Sequence, residues 1–143
     1  IALVRLGQAL RADADFAYVR AEAEKDSWQL NNSCWEKAMA GVALESALVD
    51  CDLALKLEPK SAAILDSRAL VLLRLGRLDD AIAAYNSALE ILNDFPSALF
   101  GRALAWERKG DLAKAASDAK AATAKGQHIR DKYREMGLTL KSF

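Results

Sequence analysis

Few side chains in this sequence could do chemistry, and they are scattered. There is one histidine, His128, and there are two cysteines, Cys34 and Cys51. A histidine activates a serine or cysteine nucleophile only where a third group fixes its orientation, and the sequence offers His128 no such partner. The carboxylates Asp13/Asp15 and Glu22/Glu24 stand at i, i+2, a spacing that puts them on different faces of a helix. They read as solvated charge, not as a catalytic pair or metal cluster. The two cysteines lack metal-type spacing and are too few for a disulfide framework. Each reads as a small buried hydrophobe, with a disulfide open to them if their Cα atoms come within roughly 7 Å. Asn31-Asn32-Ser33 matches a glycosylation sequon but falls in a helical pattern, so it reads as chance. With no glycine-rich phosphate loop either, the expectation is a non-enzyme with no catalytic residue, no cofactor and no metal.

The elements around these residues are legible from composition. The 143 residues include 29 Ala and 22 Leu against 12 Val, Ile and Thr together, and only two prolines. Ala and Leu favour helix where β-branched residues favour strand, so the fold class expected is all-α. Twenty basic residues balance twenty acidic ones, which removes the electrostatic footprint of a nucleic-acid binder. No apolar run reaches the ~18–20 residues that span a bilayer. The partners expected therefore exclude nucleic acid and membrane.

Sliding the sequence against itself by about 34 residues, a period typical of helix-pair repeats, aligns Gly76 with Gly110, and Leu44, Leu78 and Leu112 with one another. Ala47, Ala81 and Ala115 coincide, as do Cys51, Tyr85 and Ala119, and Ala54, Ala88 and Ala122; upstream, Leu65, Arg68 and Ala69 fall on Leu99, Arg102 and Ala103. Each copy runs from an apolar helix to a turn glycine and then to a helix opened by acidic residues such as Asp79, Asp80 and Asp111, which suit the positive end of its dipole. Such a hairpin cannot bury its apolar side alone and must stack on neighbours. Arg68 and Arg102 could bind an anion; their shared repeat position favours structural bonds, with Asp50 and Asp118 as candidate acceptors. Trp28 and Trp106 read as packing residues at repeat joints.

These residues resemble the tetratricopeptide repeat family. Its pattern of a small residue in the first helix is met by Ala69 and Ala103, its alanine–aromatic–alanine run in the second by Ala81, Tyr85 and Ala88, and its closing proline by Pro59. The resemblance implies a superhelix of antiparallel helical hairpins: full repeats at 28–61, 62–95 and 96–128, a capping helix at 129–137 over the last hairpin, and a frayed tail at 138–143. Val4-Arg5-Leu6-Gly7, Ala12 and Phe16 suggest a truncated repeat over 1–26, with more protein expected upstream. Phrases such as NNSCW and DCDLAL are similar in style to repeat tails of bacterial transglutaminase-like and other envelope proteins.

The first full repeat admits two alignments. Counted back from Ala47, Trp35 takes the small-residue position and is core or border; this is the preferred alignment. Counted from Gly41, an extra residue sits near Val42, Cys34 is the small residue, and Trp35 turns to the concave surface. By resemblance, a peptide-binding groove on that surface is lined by Asn32, Glu36 and Met39, then Asp66, Leu70, Leu73 and Arg74, then Phe100, Leu104, Glu107 and Arg108. A subclass that clamps a C-terminal carboxylate needs basic residues where this chain has Asn32, Glu36, Ser67, Ser97 and Gly101, so that ligand is not expected. The function expected is a protein–protein interaction module that binds a peptide or partner domain on its concave face. The rival reading is a structural spacer or oligomerisation element of a larger protein, with a homodimer open to it.

Overall fold

The computed structural model describes residues 17–19, 21–22 and 24–143; the truncated-repeat residues Val4-Arg5-Leu6-Gly7, Ala12 and Phe16 lie outside them. From Asp26 onward the chain forms α1 (Ser27–Ala40), α2 (Leu44–Leu57), α3 (Ala62–Arg74), α4 (Leu78–Ile91), α5 (Pro96–Lys109), α6 (Leu112–Lys125) and α7 (His128–Glu135). The described residues contain no strand. α1 pairs with α2, α3 with α4 and α5 with α6; α2 then packs on α3 and α4 on α5, while the first helices α1, α3 and α5 pack side by side. This is the stacked-hairpin superhelix expected of the repeat.

Helix starts follow from capping. Asp26 and Gln29 form a reciprocal capping box at α1, and Ser61 accepts from the Ile64 N–H at α3. Proline in the first turn of α5 costs no hydrogen bond there. The recurring alanines are the contact points of the hairpins: Ala47, Ala54, Ala81, Ala88, Ala115 and Ala122 are all fully buried, and short side chains there let helices approach closely.

The loop after α1 decides between the two alignments. Gly41 closes α1 in the left-handed region at φ 69°, and Ala43, two residues on, also has a positive φ of 49°. For a residue with a Cβ that conformation is uncommon, and it marks the extra residue. Cys34, fully buried, is therefore the counterpart of Ala69 and Ala103. The preferred alignment, which put Trp35 in that position, is corrected: Trp35 lies at the border, partly buried against the core and facing the concave side. Cys34 and Cys51 are joined as a disulfide with Cα atoms 5.6 Å apart, so the reading of two free buried thiols is also corrected.

Tyr85 passes from α4 beneath α5 at the one position that has no side chain. A Cβ on Gly101 would overlap the hydroxyl and Cζ of Tyr85, whose ring is fully buried. Gly101→Ala should cost about 1–3 kcal/mol, the usual range for overpacking, read as a fall in denaturation midpoint. In a Tyr85→Leu background the same change should cost less than half as much, because the two residues share one space. Equal costs in both backgrounds would show that the Tyr85 ring is not what excludes the methyl group.

Candidate functional site

The concave face is formed by α1, α3 and α5, and the end of the chain lies across all three. Tyr133 of α7 is fully buried. Its ring sits 4.9 Å from that of Phe100, and its hydroxyl donates to the Ser97 carbonyl at 2.8 Å. Lys132, one residue earlier, lies over the Trp35 ring at 5.2 Å. At the far end of α3, Arg74 donates to the carbonyls of Ala38 and Met39 and to that of Met136 at 2.6 Å. Beyond α7, Glu107 accepts from the main-chain N–H groups of Lys141 and Ser142 at 2.9 Å. Burial works against ionisation of Glu107, but these two donors outweigh it and hold its carboxyl below the ordinary glutamate range.

Beside α7 the same face opens into a cavity of about 230 Å³ lined by Asn31, Trp35, Asp66, Phe95, Ser97 and Lys132, among others. Asp66 is 3% exposed. One of its carboxylate oxygens, Oδ2, accepts from the Ser97 hydroxyl at 2.7 Å; the other, Oδ1, has no partner among the described residues, and neither has the buried Asn31 Oδ1. Burial pushes the Asp66 carboxyl up to about 7, against the opposing pull of the Ser97 hydrogen bond and the Lys132 charge.

Residues 69–110 match the family model described as TPR repeat. Residues 69–110 carry a tetratricopeptide repeat. No curated protein is similar enough to the chain to count as a match. Tetratricopeptide repeats generally mediate protein–protein interaction, and their family is typically a non-catalytic scaffold. Among the described residues of this repeat domain, no group of three or more His, Cys, Asp or Glu could hold a metal ion, and no helix is long and apolar enough to cross a membrane.

The residues expected to line an open groove divide. Leu70, Leu73, Phe100 and Leu104 do not form an exposed floor: all are 0–1% exposed, Phe100 directly beneath Tyr133. Asp66 and the half-buried Asn32 meet at the cavity, Arg74 grips the C-terminal segment, and exposed Glu36 lies at its rim with Met39 and Met136. Arg108 donates to the Leu73 carbonyl at 3.2 Å and belongs to the α3–α5 contact. The tail is not frayed, since Leu138 and Leu140 are 3% and 9% exposed. Sequence reasoning missed Tyr133 and Lys132 as parts of this face, and it placed Ser97 there only as a position lacking the charge of a carboxylate clamp. The Ile129–Tyr133–Met136 stripe marked an apolar helix, but nothing in it said that the helix would cross earlier repeats. Arg102 pairs bidentately with Asp118 at 2.7 Å, as expected, whereas Arg68 meets the exposed Asp52, and Asp50 instead accepts from Lys37, Tyr18 and Ser33. Trp28 is 71% exposed, not a packing residue.

Proposed function

We propose that this domain recognises polypeptide segments on its concave face and that residues 128–142 are its resident occupant. One observation carries the reading. The side chains that hold the segment bind main-chain atoms: Arg74 takes the Met136 carbonyl, and Glu107 takes the N–H groups of Lys141 and Ser142. Groups arranged to bind peptide carbonyls and amides suit a polypeptide ligand, and the Tyr133 ring supplies the apolar anchor that such interfaces favour.

A labelled peptide of residues 128–143, added in trans, tests this. It should bind saturably to the chain carrying Tyr133→Ala, whose own segment is loosened, and at least tenfold more weakly to the wild type, whose segment competes. Arg74→Ala in the Tyr133→Ala chain should weaken binding again. If Tyr133→Ala does not fold, the Leu138→Ala, Leu140→Ala chain provides a second released form. A folded, released chain that ignores the peptide would overturn the reading.

A further inference from the structure

We propose that the cavity formed by Asn31, Trp35, Asp66, Phe95 and Ser97 is a binding site for the ammonium group of a lysine side chain in a partner segment. The source of that lysine rests on the recognition reading above; the chemistry of the pocket rests on its own residues.

Three features select the group. Asp66 and Asn31 both line the hollow, and just behind its surface each has a buried side-chain oxygen, Oδ1, that is without a hydrogen-bond partner among the described residues; a buried acceptor left unpaired calls for a donor. Their type and number select among donors. Ser97 already holds Asp66 Oδ2, so the carboxylate offers one oxygen. A guanidinium makes its strongest, fork-to-fork grip on two carboxylate oxygens, as Arg102 does on Asp118, whereas an ammonium is a compact point charge that loses nothing by meeting one. The walls fit the remainder of the side chain. Trp35, Phe95 and Ala63 are apolar surfaces along which the methylenes of a lysine can lie while its head reaches the acid.

The chain carries its own precedent. Lys132 stands at the rim with its ammonium 5.2 Å above the Trp35 ring, a favourable cation–aromatic placement. It shows that this aromatic face accepts a lysine, and its charge opposes a second cation entering beside it.

Amide shifts of the labelled full chain at pH 8 test the proposal, with Ac-Ala-Lys-Ala-NH2 as probe. The arginine peptide, the acetyl-lysine peptide and glycine methylamide, which carries a free α-amine, serve as comparisons. The lysine peptide should produce saturable shifts within residues 31–35, 63–67 and 95–97, at least fivefold tighter than any comparison peptide. Asp66→Asn, which keeps the shape of the side chain, should remove the response, while Lys132→Gln should tighten it several-fold. A merely structural Asp66 would not give these opposite signs. Equal shifts from the acetylated peptide, an undiminished response in Asp66→Asn, or no saturable shift at these residues would overturn the pocket. None of those results would touch the trans-binding of the 128–143 peptide, so the two readings fail separately.

Discussion

Replacing Asp66 by asparagine is expected to stabilise the protein, and to do so far more at pH 8 than at pH 5. The folded chain holds this carboxyl at about 7 because burial penalises the charge, while the unfolded chain ionises near 3.9. The sign follows. A carboxyl raised in the folded state contributes stability in acid, and that contribution is lost as pH rises from about 4 to about 7, then stays level. Asparagine has no such loss. Between pH 5 and pH 8 the gap between the two proteins should widen by about 3 kcal/mol, roughly 10 °C in melting temperature for a domain of this size. Other carboxylates cancel in the comparison. Asp50, for example, is held below its ordinary value because hydrogen bonds from Lys37, Tyr18 and Ser33 outweigh the effect of burial, and it titrates alike in both chains. Parallel pH profiles for the two proteins would mean that Asp66 is solvated in the folded state. The same substitution that steadies the fold should abolish lysine binding, so stability and recognition conflict at this residue.

Reducing the Cys34–Cys51 bridge is the second change with a large expected effect. The two residues are separated by 17 positions, and closing a loop of that order restricts the unfolded chain by about 3 kcal/mol. Denaturation with and without a reductant should differ by that amount. Alkylation of the unreduced, unfolded chain should label neither thiol. Labelling of both without reductant would show the bridge unformed, and an unchanged midpoint after verified reduction would show that native packing alone fixes this hairpin. Because both cysteines lie in the first hairpin, the loss should leave the contacts of Tyr133 and Glu107 in place.

The architecture was open to reading because it repeats. An alanine at one position is ambiguous; Ala47, Ala81 and Ala115 at one interval are not, since only stacked hairpins require a small residue at that recurring contact. The first alignment failed for a related reason. Ala47 lies six positions after Gly41, whereas Ala81 lies five after Gly76. A single inserted residue leaves no mark except that discrepancy between two anchors, and the αL conformation of Ala43 resolves it. The groove was harder to read. Leu70, Leu73 and Leu104 are apolar whether they line an open channel or lie beneath a covering segment, so residue type does not distinguish the two. The distinction rests on where residues 128–142 go, a long-range docking held by Arg74, Glu107 and Ser97 through main-chain atoms that carry no sequence signal.

Those main-chain bonds have a consequence for substitution in the tail itself. The Met136 carbonyl and the amides of Lys141 and Ser142 are present whatever side chain those residues bear, proline excepted at the two amides. Replacements there leave these bonds intact, while Tyr133, Leu138 and Leu140 carry the burden of identity. The tail can therefore drift in spelling at its polar positions without releasing the face it covers, and under the recognition proposed above, foreign segments that share only the spacing of its aromatic and aliphatic residues would compete for the same seat.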